Sequence, residues 1–172
     1  MEKGYFQIYT GNGKGKTTAA LGLAVRAAGA GLCVYIGQFI KSMEYSEVSV
    51  LRSIPGITVE LYGLDGCITT LEPSERDRMA ARHGYERAAE VLRSGDYDVV
   101  ILDEFTIATY FNMITEQEAL CLVKERAPGT ELIITGRYAP DYLLAQADLA
   151  TDMTCLRHYY EAGVEARDGI ER

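Results

Sequence analysis

The fold of this chain is decided by the stretch Thr10-Gly11-Asn12-Gly13-Lys14-Gly15-Lys16-Thr17-Thr18 near its amino end. An apolar run at residues 5–9 precedes it and an alanine-rich run at residues 19–24 follows, which predicts a strand, a glycine loop and a helix in that order. Glycines let successive backbone N–H groups turn inward around an anion, and the helix adds its positive end. Lys16 can reach the outer phosphates of a nucleotide, and the Thr17 hydroxyl can bind Mg²⁺. We interpret the stretch as a variant phosphate-binding loop, rather than a plain glycine-rich turn, although it begins with threonine where the usual pattern has glycine.

The size and charge of the chain limit the classes of function. Its 172 residues, 48% of them hydrophobic, suit one well-buried domain spanning residues 1–172. The net charge of −8 argues against a protein that binds the nucleic-acid backbone. A local basic patch can still hold a polyphosphate, and its predicted members are Lys14, Lys16, Arg26 and Lys41.

The cysteines and the apolar runs point to a reducing compartment. The four cysteines are widely spaced and form no Cys-x-x-Cys pair, so they predict buried thiols rather than a zinc site or a disulfide framework. Neither a signal-like run nor a stretch of transmembrane length is present in the sequence. These features predict a cytoplasmic protein with no membrane partner.

Strand-like and helix-like segments alternate along the chain. The helical segments include two with capping signals, at Ser74 and at Thr115. The irregular segments 41–49 and 62–71 are predicted to be active-site loops. Alternation of this kind predicts an α/β fold with an open, mostly parallel sheet and helices on both faces. The predicted strands cover residues 5–9, 32–37, 57–61, 99–102, 132–135 and, more weakly, 149–156.

Two acids follow a buried strand at residues 99–102. Asp103 and Glu104 stand at its carboxyl end, where ligands collect in open α/β sheets. In phosphate-loop proteins a strand next to the loop strand delivers an acid to Mg²⁺, so both acids are candidate metal ligands with Thr17. The alternative is that Asp103 only caps the following helix. Arg137, after the strand at 132–135, is as well suited to a phosphate as to solvent.

The chain resembles the ATP:corrinoid adenosyltransferases of bacterial cobalamin synthesis. The likeness runs in order along nearly the whole sequence, and its carboxyl-terminal part is absent from ordinary phosphate-loop ATPases. It is carried by the loop at residues 10–20, by Arg26-Ala27-Ala28-Gly29-Ala30-Gly31, by Gln38-Phe39-Ile40-Lys41, by residues 99–104, by Ile133-Ile134-Thr135-Gly136-Arg137 and by residues 158–171.

The resemblance implies a RecA-like, P-loop NTPase-like sheet, a homodimer, a divalent metal (Mg²⁺ or Mn²⁺) and a flavoprotein reductase as partner. It implies transfer of the 5′-deoxyadenosyl group of ATP to Co(I) of a corrinoid, with release of triphosphate. Lys16 and Glu104 are then the expected catalytic residues, and Glu104 the closer acid to the metal. The residues expected to bind ATP or the corrinoid are Gly11, Asn12, Gly13, Lys14, Gly15, Lys16, Thr17, Thr18, Arg26, Lys41, Arg137, Leu64 and Ile68.

The chain departs from the better-known members of this family in three places. Its first strand begins almost at once where they carry a longer amino-terminal arm, and Ser42 replaces a usual glycine. Those members also place Phe and Trp in the loop after the third strand, whereas this chain contains no Trp. Leu64 and Ile68 are therefore expected to cover the lower face of the corrin ring. Two other functions stay open at this point, namely an ATPase or phosphotransferase and a non-catalytic nucleotide- or corrinoid-binding module.

Overall fold

The computed structural model describes residues 2–41, 44–64 and 72–171. The strands within these residues are Phe6–Thr10 (β1), Val34–Lys41 (β2), Ile57–Leu64 (β3), Val99–Asp103 (β4), Glu131–Thr135 (β5) and Leu149–Asp152 (β6). The helices are Lys16–Gly29 (α1), Ser46–Ser53 (α2), Glu75–Ser94 (α3), Phe105–Tyr110 (α4), Glu116–Glu125 (α5) and Asp141–Leu144 (α6), followed by a 3-10 turn at Tyr159–Ala162.

The six strands form one sheet in the order β3-β2-β4-β5-β1-β6, and every neighbouring pair is parallel. Side chains alternate between its two faces, as the period of a strand requires. Val100 and Leu102 of β4 pack with α3, α4, α5 and α6 on one face. Val99 and Ile101 pack with α1 and α2 on the other. The predicted α/β class is confirmed, because both faces of a parallel sheet are covered by helices.

Both predicted capping signals are confirmed. The Ser74 hydroxyl accepts from the Asp77 N–H at 3.2 Å while the Asp77 carboxylate accepts from the Ser74 N–H at 2.8 Å. Thr115 and Glu118 exchange the same two bonds at the start of α5. Each pair satisfies N–H groups that the first turn of a helix leaves without an internal partner.

Three expectations are corrected by the structure. The segment 41–49 is more regular than expected, since β2 reaches Lys41 and α2 begins at Ser46, while residues 42 and 43 are outside the described residues. Val48 and Leu51 are buried at helical spacing, a signal too short to stand out in the sequence. The segment 62–71 begins as strand, because β3 extends to Leu64. The thiols are not generally buried, since two of them, Cys33 and Cys121, are exposed.

The carboxyl ends of β2 and β3 rise above the rest of the sheet. Gln38 of β2 pairs with Asp103, where β4 ends, but β2 and β3 remain paired for three more residues, to Lys41 and Leu64. At about 3.3 Å per residue this extension stands about 10 Å above the end of β4. Helix α3 packs closely behind it, since a Cβ atom at Gly84 would lie within 2.8 Å of two aromatic rings of β2 and β3. The pair therefore forms a wall on one side of the edge where the strands end.

Among the described residues, none of the helices combines the length and the hydrophobicity that a membrane span requires.

Candidate functional site

The glycine loop connects β1 directly to α1 at the carboxyl edge of the sheet. Gly11 and Gly15 have φ angles of 99° and 120°, in the left-handed region that glycine tolerates without a Cβ penalty. Gly15 is the N-cap of α1 and supplies no side-chain hydrogen bond, and the first turn of α1 contains no acid. The positive end of α1 therefore points into the loop with no side-chain cap in front of it, which suits an anion.

Lys16 is buried inside this loop. Its ammonium group donates to the carbonyl oxygens of Gly11 and Gly13, both at 2.7 Å. Burial lowers the pKa of Lys16, and Arg137 lowers it further, while Glu104 raises it. Lys16 therefore lies in the field of both charges, and its role at a phosphate site stays a prediction.

Asp103 joins four elements of the site. Its fully buried carboxylate accepts from the Thr17 hydroxyl of α1 at 2.8 Å and from the Thr135 hydroxyl of β5 at 2.6 Å. Its other oxygen accepts from the amide of Gln38 in β2 at 3.2 Å. A buried carboxylate needs such donors because burying a charge without partners is costly. The predicted neighbours Thr17 and Asp103 are therefore in direct contact.

The sequence predicted that the strand carrying Asp103 lies next to the loop strand β1, and the structure differs. Strand β4 is not next to β1, because β5 lies between them. The inserted strand contributes Thr135, which donates to Asp103 and also accepts from the Glu104 N–H at 3.0 Å. Thr135 was missed as a functional residue. The signal that could have found it is a polar residue closing an otherwise apolar strand at the ligand edge of the sheet.

Glu104 has the left-handed backbone conformation, with a φ angle of 58°. This conformation costs a residue with a side chain about 1–2 kcal/mol and is common at functional sites. Gly136 lies against it with a φ of 136°, and a Cβ there would overlap the Thr106 hydroxyl and approach the Glu104 carboxylate to 3.3 Å. Glu104, not Asp103, is the N-cap of α4, and its side chain makes no cap hydrogen bond. The alternative role of Asp103 as a helix cap is therefore wrong.

The donor set fits a hard divalent cation. Thr17, Asp103 and Glu104 offer oxygen atoms, which Mg²⁺ prefers, and Mg²⁺ usually keeps several waters and phosphate ligands besides one or two carboxylates. Within the described part of the chain, the buried Oε1 atom of Gln38 has no hydrogen-bond partner. It lies on the side chain whose Nε2 donates to Asp103, so an additional acceptor stands beside the carboxylate. No group of three His, Cys, Asp or Glu side chains in the described ranges could hold a metal by itself.

The remaining predicted site residues lie in several places. Thr18 is exposed in the first turn of α1, and Arg137 is exposed after β5. The backbones of Lys41 and Leu64 lie side by side at the top of the wall. Ile68 and the rest of segment 65–71 are outside the described residues.

Arg26 is not at the phosphate site. It lies in the last turn of α1, ten residues beyond Lys16. At 1.5 Å per residue it is about 15 Å along the helix from the loop. The sequence motif contained this arginine, but the helix carries it away from the loop, toward the opposite edge of the sheet.

The middle of the loop contacts the carboxyl-terminal segment. The Asn12 side-chain oxygen accepts from the Cys155 N–H at 3.0 Å, and the Gly13 N–H donates to the Met153 carbonyl at 2.7 Å. The Lys14 ammonium contacts the last residues of the chain rather than the interior of the loop.

The whole chain is similar to proteins of one family. The family model described as ATP:corrinoid adenosyltransferase BtuR/CobO/CobP matches residues 2–172. A corrinoid adenosyltransferase from a Sinorhizobium species is 34% identical over 173 residues, which cover 99% of this chain and 81% of the relative. The corrinoid adenosyltransferase of Escherichia coli K12 is 34% identical over 170 residues, covering 99% and 86% of the two chains. The corrinoid adenosyltransferase CobA of Salmonella typhimurium is 32% identical with the same coverage. With a phosphate loop, a buried acid beside it and similarity along its full length, this chain belongs to the ATP:corrinoid adenosyltransferase family.

Proposed function

We propose that this protein transfers the 5′-deoxyadenosyl group of ATP to the Co(I) centre of a corrinoid and releases triphosphate. The proposal is carried by one observation, the direct contact of the loop residue Thr17 with Asp103, next to Lys16, in a chain that matches the family from end to end. The relatives it resembles are named corrinoid adenosyltransferases, which supports the choice of both substrates.

The reaction requires little acid–base catalysis by the protein. The Co(I) electron pair forms a bond to the ribose C5′ carbon, the C5′–O bond breaks, and its electrons leave with the triphosphate. No proton needs to move in this step, so the protein contributes alignment of the two substrates and neutralisation of charge. We assign the phosphates to Lys16 and the amino end of α1, with Arg137, which follows β5, as a further positive charge at the same edge.

The divalent cation is assigned to the acidic side of the site. Thr17 and one or both of Asp103 and Glu104 would hold Mg²⁺ or Mn²⁺, which neutralises charge on the departing triphosphate when bound. Glu104 is proposed as the closer acid. The Asp103 carboxylate already accepts three hydrogen bonds from neighbouring elements, whereas Glu104 is half-buried beside Gly136.

The corrinoid is assigned to the wall formed by the ends of β2 and β3. Leu64 ends β3 at the top of this wall, and Ile68 follows in the next segment. An apolar cover over the lower face of the ring would exclude water and a lower ligand from cobalt, because a buried polar ligand without partners is costly. This part of the proposal is supported by the position of the wall, which rises about 10 Å on one side of the phosphate site.

The assembly and setting of the enzyme complete the proposal. We assign it to the cytoplasm as a homodimer that receives electrons from a flavoprotein reductase. The molar mass from light scattering after size-exclusion chromatography tests the dimer, with twice the chain mass of 19.0 kDa expected.

An anaerobic assay with chemically reduced cob(I)alamin and ATP tests the reaction. Stoichiometric triphosphate and adenosylated corrinoid are expected, and both should disappear in the Lys16→Ala variant. ADP and phosphate as products would identify an ATPase or phosphotransferase instead. ATP binding without any product would identify a non-catalytic binding module.

A further inference from the structure

Three successive residues of the phosphate loop bind the segment that follows β6. Asn12 accepts from the Cys155 N–H, Gly13 donates to the Met153 carbonyl, and the Lys14 ammonium contacts the last turn of the chain. The approach is close enough that a Cβ atom at Gly13 would lie 2.5 Å from the Met153 oxygen. The outer side of the loop is therefore built against the carboxyl-terminal segment, not only against its own strand and helix.

Lys14 is held by a cluster that we call the C-terminal clamp, made of Tyr159, Arg167, Ile170 and Glu171. Its ammonium group donates to the Ile170 carbonyl at 2.7 Å, to the Glu171 carboxylate at 2.8 Å and to the Tyr159 hydroxyl at 3.3 Å. Glu171 is bound in turn by the Tyr159 hydroxyl, by the Arg167 N–H and by its guanidinium, which also lies over the Tyr159 ring at 5.0 Å. All three donors of Lys14 are thereby used.

The segment that carries the clamp has little hydrophobic burial to hold it in place. Residues 156–170 are exposed or half-buried throughout, and among their apolar side chains Leu156 is 94% and Ile170 57% exposed. The side chain of Glu171 is only 17% exposed, because its partners surround it. A segment with so little buried apolar surface depends on its polar contacts for order. Lys14 provides the contact that ties the clamp to the loop.

We propose that Lys14 is a structural cation that fastens the C-terminal clamp to the phosphate loop and does not bind triphosphate, and that Glu171 is a positioning residue which acts through it. The inference rests on the proposed function, because it takes ATP as the ligand of the loop. It changes the expected role of Lys14 from phosphate ligand to support. Lys16, whose ammonium is turned toward the loop carbonyls of Gly11 and Gly13, remains the cation for the phosphates.

A loop that the clamp already holds in place should bind ATP more tightly, because a rigid site loses less conformational entropy when the ligand binds. The linkage must also work in reverse, so that ATP binding orders the clamp by the same free energy. Removal of either Lys14 or Glu171 breaks the same connection. The effects of the two substitutions on the free energy of ATP binding should therefore not be additive in a double-mutant cycle.

The test measures binding of Mg²⁺ and ATP by calorimetry in wild type, Lys14→Met, Glu171→Gln and the double variant. Each single variant should raise the Kd for ATP about fivefold, at the low end of the range for coupled sites. The double variant should show the same fivefold increase. In the assay with cob(I)alamin, KM for ATP should rise in the same proportion while kcat stays within about twofold, as for a lost binding contribution.

Limited trypsin digestion provides a readout without ATP. The clamp segment contains Arg157 and Arg167, and cleavage there, followed by mass spectrometry, should be faster in both single variants than in wild type. ATP should slow that cleavage in wild type only. Lys124→Met and Glu165→Gln are matched controls, since these residues are exposed on α5 and in the same terminal segment, and both should behave as wild type.

Three results would overturn the inference. A large loss of ATP binding in Lys14→Met with none in Glu171→Gln would make Lys14 a phosphate ligand. A roughly 25-fold effect in the double variant, the product of two independent fivefold effects, would show that the residues act separately. Unchanged proteolysis in both single variants would show that the clamp does not hold the segment. If wild type itself fails to bind ATP, the proposed function falls, while the proteolysis still tests the clamp.

Discussion

The bridge made by Thr135 is the most informative place to perturb this site. Its hydroxyl donates to the Asp103 carboxylate at 2.6 Å and accepts from the Glu104 N–H at 3.0 Å, and the residue is fully buried. Thr135→Val keeps the shape and the β-branch of the side chain but removes both hydrogen bonds. Water cannot replace the hydroxyl without a rearrangement, because the residue has no exposed surface.

The size of the effect follows from these two bonds. A hydrogen bond to a charged group contributes about 1.5–3 kcal/mol, and a neutral one about 0.5–1.5 kcal/mol. Burial of the additional methyl group of valine stabilises the folded state by about 0.8 kcal/mol. We therefore expect Thr135→Val to lower the free energy of unfolding by about 1–4 kcal/mol, which corresponds to a fall in Tm of about 2–15 °C for a chain of this length. Activity should fall as well, because Asp103 and Glu104 lose the group that holds them together.

Urea unfolding monitored by circular dichroism measures the first effect, with a lower midpoint and an unchanged m-value expected. Thr151→Val is the matched control, since Thr151 is exposed on β6 and should change stability by no more than about 0.5 kcal/mol. If the two variants lose the same small amount of stability, the inserted strand does not support the acidic side of the site and this reasoning is refuted.

Four further predictions concern single side chains. Lys16→Ala should fold normally but lose turnover by about 100-fold or more, since such a contact stabilises the transition state by about 3 kcal/mol; near-normal activity would contradict the assignment of the phosphate site. Glu104→Gly should be about 1 kcal/mol more stable than Glu104→Ala in thermal melts, because glycine accepts the left-handed backbone, yet both should lose the metal dependence of activity; equal stability would argue against strain at this residue. Leu64→Asp should depress activity started from cob(II)alamin more than it depresses ATP binding, and an equal loss of both would place this residue at the nucleotide instead. Finally, a hydrogen bond from Arg82 lowers the pKa of Glu118 from its ordinary 4.5 to about 2, so the ionised Glu118 stabilises the fold above pH 4.5 and this stabilisation disappears as the pH falls toward 2. The unfolding free energy of the Glu118→Gln variant should therefore change less between pH 4.5 and pH 2 than that of wild type. If the two proteins show the same dependence on pH, Glu118 is not the group responsible.

Local signals in the sequence predicted most of the elements that form the site. The strands were visible because a parallel sheet covered on both faces needs continuous apolar runs, as at Val99–Asp103. The glycine loop and the capping boxes at Ser74 and Thr115 were visible because each depends on residues within a few positions of one another. The short helix Ser46–Ser53 was missed because two buried residues give too little periodicity.

Position in three dimensions changed the roles of several residues that the sequence had singled out. Arg26 is part of the sequence motif but lies at the far end of α1, because the helix carries it away at 1.5 Å per residue. Lys14 is part of the phosphate loop but directs its ammonium to the carboxyl-terminal segment. A side chain of this length can serve either partner, so its spacing in the motif could not choose between them.

An α/β sheet with a glycine loop before its first helix follows from local sequence, since these features need only neighbouring residues. Tertiary structure alone decided that β5 lies between β1 and β4, which brings Thr135 to Asp103. It also decided that Lys14 and Glu171, 157 positions apart, form an ion pair. Strand order and such long-range contacts are set by how the elements pack together, and a pairing of that kind leaves no periodic pattern in the sequence.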